Sequence, residues 1–271
     1  MAPLVAAILV VFSGCGGVSG NGGGADTYRH RVVIEKITGT WCGFCPDGVE
    51  VIEEITAQHT EVIPIAYHSG DAFSTTGVTT IIDTLHDYGG VPAAMVQRIP
   101  YYDSYYDVET LSFSRSYWAS AVENARRATA QVGIGIASAR TDDNATVDVT
   151  VYRSEKTDAA FHLTVVLIEN GIVTAHANYY NDDPDSAYYG RGNPIPDFEL
   201  NHVTREVLSA PLGDALSTGV PAETKSYNVT LDPAWDPEKL KLVAFVHYNE
   251  PARRTIINGQ KVALGGSVAA D

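Results

Sequence analysis

Ile37-Thr-Gly-Thr-Trp41-Cys42-Gly43-Phe44-Cys45-Pro46 decides the reading of this chain. It joins an apolar, β-branched run, Arg31-Val-Val-Ile-Glu-Lys-Ile37, to a stretch with Val49, Ile52, Ile55 and Ala57 close to helical spacing. Two cysteines separated by two residues therefore stand where a strand turns into a helix. Unpaired N–H groups and the dipole at a helix N-terminus stabilise a thiolate at the first cysteine. The second, one turn on, is near enough to attack a mixed disulfide and release its substrate. Such a pair cycles between dithiol and disulfide, and no cofactor is expected. Two alternatives stand beside this reading. A structural zinc site would need two more ligands, drawn from nearby histidines. A purely structural disulfide here would close too small a loop to stabilise much.

Outward from this block, strand and helix signals alternate. Val62–Tyr67 reads as a second strand, with Pro64 arguing for an edge or an irregular register. Residues 76–87 suggest a helix, 91–97 a third strand and 113–129 another helix, with Trp118, Ala121 and Ala125 on one side. That alternation predicts an α/β unit over residues 28–129. Near residues 128–131 the period changes to two: Val132, Ile134 and Ile136, then Val147, Val149 and Val151, then Phe161, Leu163, Val165 and Leu167. Tyr227, Val229 and Leu231, Leu240–Tyr248 and Lys261–Leu264 follow, so residues 130–271 are expected to form an all-β, Ig-like sandwich.

The remaining cysteine is Cys15. It ends an apolar run, Ala2–Phe12, of signal-peptide length and too short to span a bilayer. Phe12-Ser13-Gly14-Cys15 looks like a lipobox, which predicts a leader over residues 1–15 and lipidation of the Cys15 thiol. A plain secretory signal, leaving Cys15 as a stray thiol, is the alternative. Residues 16–27 are rich in glycine and read as a flexible tether. Both readings export the protein to an oxidising compartment where disulfides persist. Membrane attachment is expected through the lipid alone, since no run of 18 or more apolar residues follows. Eighteen basic against 33 acidic residues leave a net charge of −15, which repels phosphate backbones and argues against nucleic acid as a partner.

Tyr88-Gly-Gly-Val91-Pro92-Ala-Ala-Met95 is a glycine-rich approach to a proline opening a strand. With the Trp-Cys-x-x-Cys block it resembles the thioredoxin-like superfamily, giving an α/β thioredoxin-like domain followed by the sandwich. The resemblance implies a cis Pro92 facing the cysteines and a Val91 backbone offered to an extended substrate, in the manner of strand addition. Ile34–Pro46 behind a lipoprotein-like leader, ahead of a β-rich half that contains Asn201-His-Val-Thr-Arg205, resembles the Omp28-related outer-membrane family. That resemblance implies a place in the bacterial cell envelope.

One departure stands out. Superfamily reductases usually carry a buried acid six residues before the first cysteine, whereas this chain has Lys36, with Glu35 beside it. An inward Lys36 would have a lowered pKa and could take the same proton as a neutral amine. The alternative is that both lie near the strand end, paired with solvent or each other. The tyrosine- and aspartate-rich stretches 101–107 and 179–189 suit a partner surface, a calcium site through Asp182, Asp183 and Asp185, or ordinary loop packing. His68 could lie near the cysteines or simply cap a strand end, and His202 with Arg205 reads as a structural network in the sandwich rather than a catalytic pair. The expected function is thiol–disulfide exchange with envelope proteins bearing thiols or disulfides. Cys42 would attack, Cys45 resolve, Val91 and Pro92 seat substrate, and Trp41 shield the pair. No metal is expected. The rival is an outer-membrane lipoprotein whose sandwich binds a protein or glycan, the first half serving as scaffold.

Overall fold

The computed structural model describes residues 28–104, 107–154 and 159–271. The leader, Cys15 and the tether 16–27 lie outside the described residues, as do positions 105 and 106 in the first tyrosine-rich stretch. The chain begins β1 (Val32–Thr38), α1 (Cys45–Gln58), β2 (Val62–His68), α2 (Thr76–Leu85) and β3 (Ala93–Val96). A hairpin of β4 (Tyr101–Asp103) and β5 (Val108–Thr110) leads to β6 (Phe113–Ser114), a 3-10 turn at Arg115–Tyr117 and α3 (Trp118–Ala125). Strands then follow without further helix among the described residues: β7 (Val132–Thr141), β8 (Asn144–Arg153), β9 (Phe161–Glu169), β10 (Ile172–His176), β11 (Ile195–Leu200) and β12 (Val203–Val207). The last are β13 (Asp214–Ala215), β14 (Ala222–Thr230), β15 (Leu240–Tyr248), β16 (Ile256–Ala263) and β17 (Ser267–Val268).

The molecule is β-rich, and its largest sheet runs β16-β15-β9-β12-β2-β1-β3-β6, with β13 also paired to β9. β1 is parallel to β2 and antiparallel to β3, with α1 as the crossover. Every residue of β1 and β2 is buried, which is why both read as continuous apolar runs rather than alternating ones. β14-β8-β7-β17 forms a second sheet. It packs on β9 and β15 through Ile134, Ile136, Val147, Val149, Leu163, Val165, Leu242 and Ala244. The strands expected from the two-residue period lie in two packed sheets, one of which continues into β2, β1 and β3. The change of period near residue 130 marks where strands begin to alternate faces, and the sheet itself crosses that point. Its edge strand β16 curls back toward β1. Ile256 N–H donates to Gln97 O at 2.8 Å, and a Cβ on Gly259 would lie 2.7 Å from Val33 Cγ2.

Two expectations differ from the fold for local reasons. Pro64 lies in an interior strand in regular register with Ile34. Successive odd or even residues of a strand direct their N–H groups to the same side, and Ala66 N–H reaches His202 O on the β12 side. β12 pairs with β2 only at Val203–Ala66, so the N–H that Pro64 lacks falls where no ladder needs it. The expected helix over 113–129 is shortened to α3. Phe113 and Ser114 pair with β3 instead, which buries Phe113 in the core under α1 and α3. Trp118 starts the helix fully buried, its indole N–H donating to Phe113 O at 2.9 Å. No helix among the described residues is long and apolar enough to cross a membrane.

Candidate functional site

The loop from β1 to α1 carries the cysteine pair, joined as a disulfide with a Cα–Cα separation of 5.3 Å. Two backbone bonds of 3.0 Å wind it: Cys42 N–H to Gly39 O and Cys45 N–H to Cys42 O. Thr40 N–H is held by Asp71 Oδ2 at 2.8 Å. The Trp41 indole donates to Ser69 O at 2.7 Å and lies over Gly39, where a Cβ would come within 2.5 Å of Nε1. Phe44 caps α1 without a side-chain bond and Pro46 occupies its first turn, so the free N–H groups of the helix lie at the disulfide. Cys42 is 5% exposed and Cys45 fully buried, so an incoming sulfur can reach only Cys42.

Val91 and Pro92 lie beside the pair. The Val91–Pro92 peptide is cis, Val91 O stands 3.6 Å from Cys42 Sγ, and Pro92 packs on α1 at Gly48, where a Cβ would come within 3.0 Å. Val91 precedes the first paired residue of β3, Ala93, so its backbone lies outside the ladder. Trp41, Cys42, Cys45, Val91 and Pro92 are thus brought together; Cys15 lies outside the described residues.

The second half supplies residues that sequence reasoning missed. Between β10 and β11 the chain returns to the cysteine loop, where Ala177 N–H donates to Thr40 O at 2.8 Å and Tyr179 N–H to Gly43 O at 2.9 Å. The Tyr179 ring meets Phe44 edge-on at 5.1 Å. Tyr188 Oη donates to Pro46 O at 2.9 Å, and Tyr180 Oη accepts from Arg115 at 2.9 Å while Arg115 pairs with Asp47. The 179–189 stretch is therefore part of the wall of the site. Its tyrosines were visible in the sequence, but no local pattern links them to a loop more than 130 residues earlier. Trp41, Phe44 and Tyr179 remain 53%, 48% and 61% exposed, an aromatic rim around the disulfide. Among the described residues no three His, Cys, Asp or Glu side chains are grouped to hold a metal ion, so Asp182, Asp183 and Asp185 do not converge as a calcium site.

His68 reaches the cysteine loop through Asp71: its Nδ1 lies 2.7 Å from Asp71 Oδ2, the atom that also accepts from Thr40 N–H. Burial pushes the Asp71 carboxyl up, but the His68 bond and charge and the amides of Thr40 and Phe73 together hold it below its usual range. Glu35 and Lys36 face opposite sides of the sheet and do not pair with each other. Glu35 accepts from Arg98 through two bonds of 2.7 Å and from Tyr67 at 2.8 Å, all three groups being buried. Lys36 lines a cavity of ≈ 20 Å³ with Val49, Ile52, Glu53, Asn201 and His202, room for one water. Burial there lowers its amine to about 8, against the opposing charge of Glu53. Val49 and Ile52 stand four and seven residues beyond Cys45, so Lys36 faces the side of α1 that carries Cys45. Arg205 bonds Glu169 at 2.6 Å and His202 borders the Lys36 cavity, so these two belong to separate structural networks.

The contact between the two halves gives one prediction. A Cβ on Gly43 would fall 2.3 Å from the Tyr179 ring. Gly43→Ala should cost about 1–3 kcal/mol as the ring is displaced. Tyr179→Ala in the same background should recover most of that loss in urea unfolding. A single variant as stable as the parent would mean that the contact is not tight.

The profile of the family described as outer membrane protein Omp28 matches residues 81–268, a stretch that starts beyond the cysteine pair. Among solved structures, HBP35 of Porphyromonas gingivalis superposes with a TM-score of 0.70 at 21% identity, over 88% of this chain and 76% of that one. That likeness is one of fold. A domain of the outer membrane lipoprotein Omp28 from Porphyromonas gingivalis matches at 17% identity and a TM-score of 0.35, over 51% of this chain and 90% of that one. No curated protein matches the chain. With well over half of its length matched, the chain belongs to the Omp28 family of outer membrane proteins.

Proposed function

We propose that the protein is a lipid-anchored thiol–disulfide oxidoreductase of the cell envelope, built on a thioredoxin-like unit and acting on proteins that bear thiols or disulfides. The observation that carries this reading is a disulfide at the N-terminus of α1 of which only Cys42 keeps any exposure, with Val91 O 3.6 Å away. The β1-α1-β2 crossover, the antiparallel β3 and the cis Pro92 support the thioredoxin-like assignment. Lipidation at Cys15, with residues 16–27 as tether, would keep the site near the membrane.

One half-cycle runs as follows. A substrate thiolate attacks Cys42 Sγ, the Cys42–Cys45 bond breaks, and Cys45 leaves with the electron pair and takes up a proton. The Lys36 amine, facing this side of α1, would give that proton and take it back in reverse. A second substrate thiolate then attacks the substrate sulfur of the mixed disulfide. Cys42 leaves as a thiolate stabilised by the α1 N-terminus, so the substrate is oxidised by two electrons and the pair reduced. The reverse steps reduce a substrate disulfide.

Cys45→Ser should trap substrates as mixed disulfides on Cys42, seen on non-reducing gels of cells making the variant and absent when Cys42 is also Ser. If no adducts accumulate, exchange with proteins is excluded as the main activity. The near-burial of Cys42 favours a second reading, in which the disulfide is structural and the sandwich binds a protein or glycan partner. Glutathione equilibration separates the two. A couple between about −120 and −270 mV belongs to exchanging enzymes, and one below about −300 mV to structural bridges.

A further inference from the structure

The rim of the site is acidic as well as aromatic. Helix α1, which begins at Cys45, carries Asp47, Glu50, Glu53 and Glu54 and no Lys, Arg or His. The turn 182–185 adds Asp182, Asp183 and Asp185, all exposed. Both arms of that turn are pinned to the first turn of α1, one through Tyr180 at Arg115 and Asp47, the other through Tyr188 at Pro46 O. Asp182 is two residues from Tyr180 and Asp185 three from Tyr188, reaches of at most about 7 and 10 Å. The turn is thereby tethered to the helix that begins at Cys45, and its three carboxylates add to the negative charge of α1 on that side of the site. Few cations answer them. Arg115 pairs with Asp47, Lys36 shares its cavity with Glu53, and no other cation is paired with these seven carboxylates among the described residues. The mutual field is visible in Glu50, whose carboxyl is raised by burial and then by Asp47, Glu54 and Glu53. Trp41, Phe44 and Tyr179 stay exposed at the same site. Exposed aromatic faces bind cations and rigid apolar groups.

We propose that the segments exchanging with the Cys42–Cys45 pair are extended and positively charged. The substrate cysteine seats between Trp41, Phe44 and Tyr179, and its lysine or arginine neighbours lie toward the carboxylates of α1 and of the 182–185 turn. This deepens the exchange reading and rests on it.

The test compares oxidation of the reduced protein by three small disulfides: cystamine, which is cationic, oxidised glutathione, which is anionic, and neutral hydroxyethyl disulfide. Each rate is normalised to that of a simple free thiol with the same disulfide. At low salt cystamine should outpace glutathione by about tenfold or more, and the ratio should approach unity near 0.5 M salt. Two cysteine peptides alike except for flanking Lys or Glu should show the same order. Asp182→Asn, Asp183→Asn and Asp185→Asn combined should lower the cationic preference by about threefold. Equal normalised rates at low salt, or a preference for the anionic disulfide, would overturn the proposal while leaving exchange intact. Failure to react with all three, hydroxyethyl disulfide included, would overturn the exchange reading itself.

Discussion

Arg98→Met should lower the unfolding free energy by about 3–5 kcal/mol, because it leaves the Glu35 carboxylate buried without its partner. Glu35 has no exposed surface, and its two oxygens take bonds of 2.7 Å from Arg98 Nε and Nη2. Tyr67 adds a bond of 2.8 Å, and the Arg98 guanidinium lies 5.1 Å from the centre of the Phe245 ring. The network joins β1, β2 and the turn after β3 to β15, so it links the cysteine-bearing strands to the sandwich. The chain turns at Gln97 and Arg98 with φ of 51° and 46°, which sends both side chains inward. Met keeps the length of the side chain and removes the charge. The double replacement Glu35→Met with Arg98→Met should recover most of the loss, since a buried ion pair exchanged as a unit for apolar groups costs little. Urea unfolding of the two variants checks this. A single variant losing less than about 1 kcal/mol would show that the carboxylate finds water or another donor.

The second large effect has the opposite sign. Lys36→Met should stabilise the protein at pH 7 by about 3 kcal/mol. The Lys36 amine is 7% exposed and is lowered from 10.5 to about 8 by burial, with Glu53 opposing. Between pH 8 and 10.5 the unfolded chain holds a proton on Lys36 that the folded chain does not. Stability of the parent protein therefore rises with pH across that window, and below it the full cost of a buried ammonium is carried. Methionine abolishes the cost, so the gain should be complete at pH 7 and vanish near pH 10.5. Urea midpoints at pH 7 and pH 10 decide the matter. A gain that does not shrink with pH would trace to packing rather than charge. A charged lysine kept at such cost on β1, against the face of α1 that carries Cys45, suits the proton transfer proposed for exchange.

Much of the first half was legible because its signals are local. A β-branched run followed by Cys-x-x-Cys and a helical period places two thiols at a strand-to-helix turn, whatever surrounds them. The sandwich strands were legible for the same kind of reason, as Val147, Val149 and Val151 must share one face. Residues 113–117 depart from the expected helix, and Pro64 sits within a sheet on a side left unpaired, because their states depend on neighbours. Pro64 is tolerated inside the sheet only where β12 has not begun, and Phe113 leaves the expected helix to pair with β3.

What the sequence determined by itself was the chemistry available: two cysteines in redox spacing, a proline opening the third strand, an excess of carboxylates and an alternating β half. What only the tertiary structure decided was how these meet. It joined the two halves in one sheet, laid Tyr179 on Gly43, paired Glu35 with Arg98 and left Lys36 buried above a water-sized cavity. These are contacts between residues far apart in the chain, set by sheet order and by the return of the chain between β10 and β11. No local period encodes them, because a propensity or a spacing acts over a few residues whereas packing selects the partner from the whole molecule.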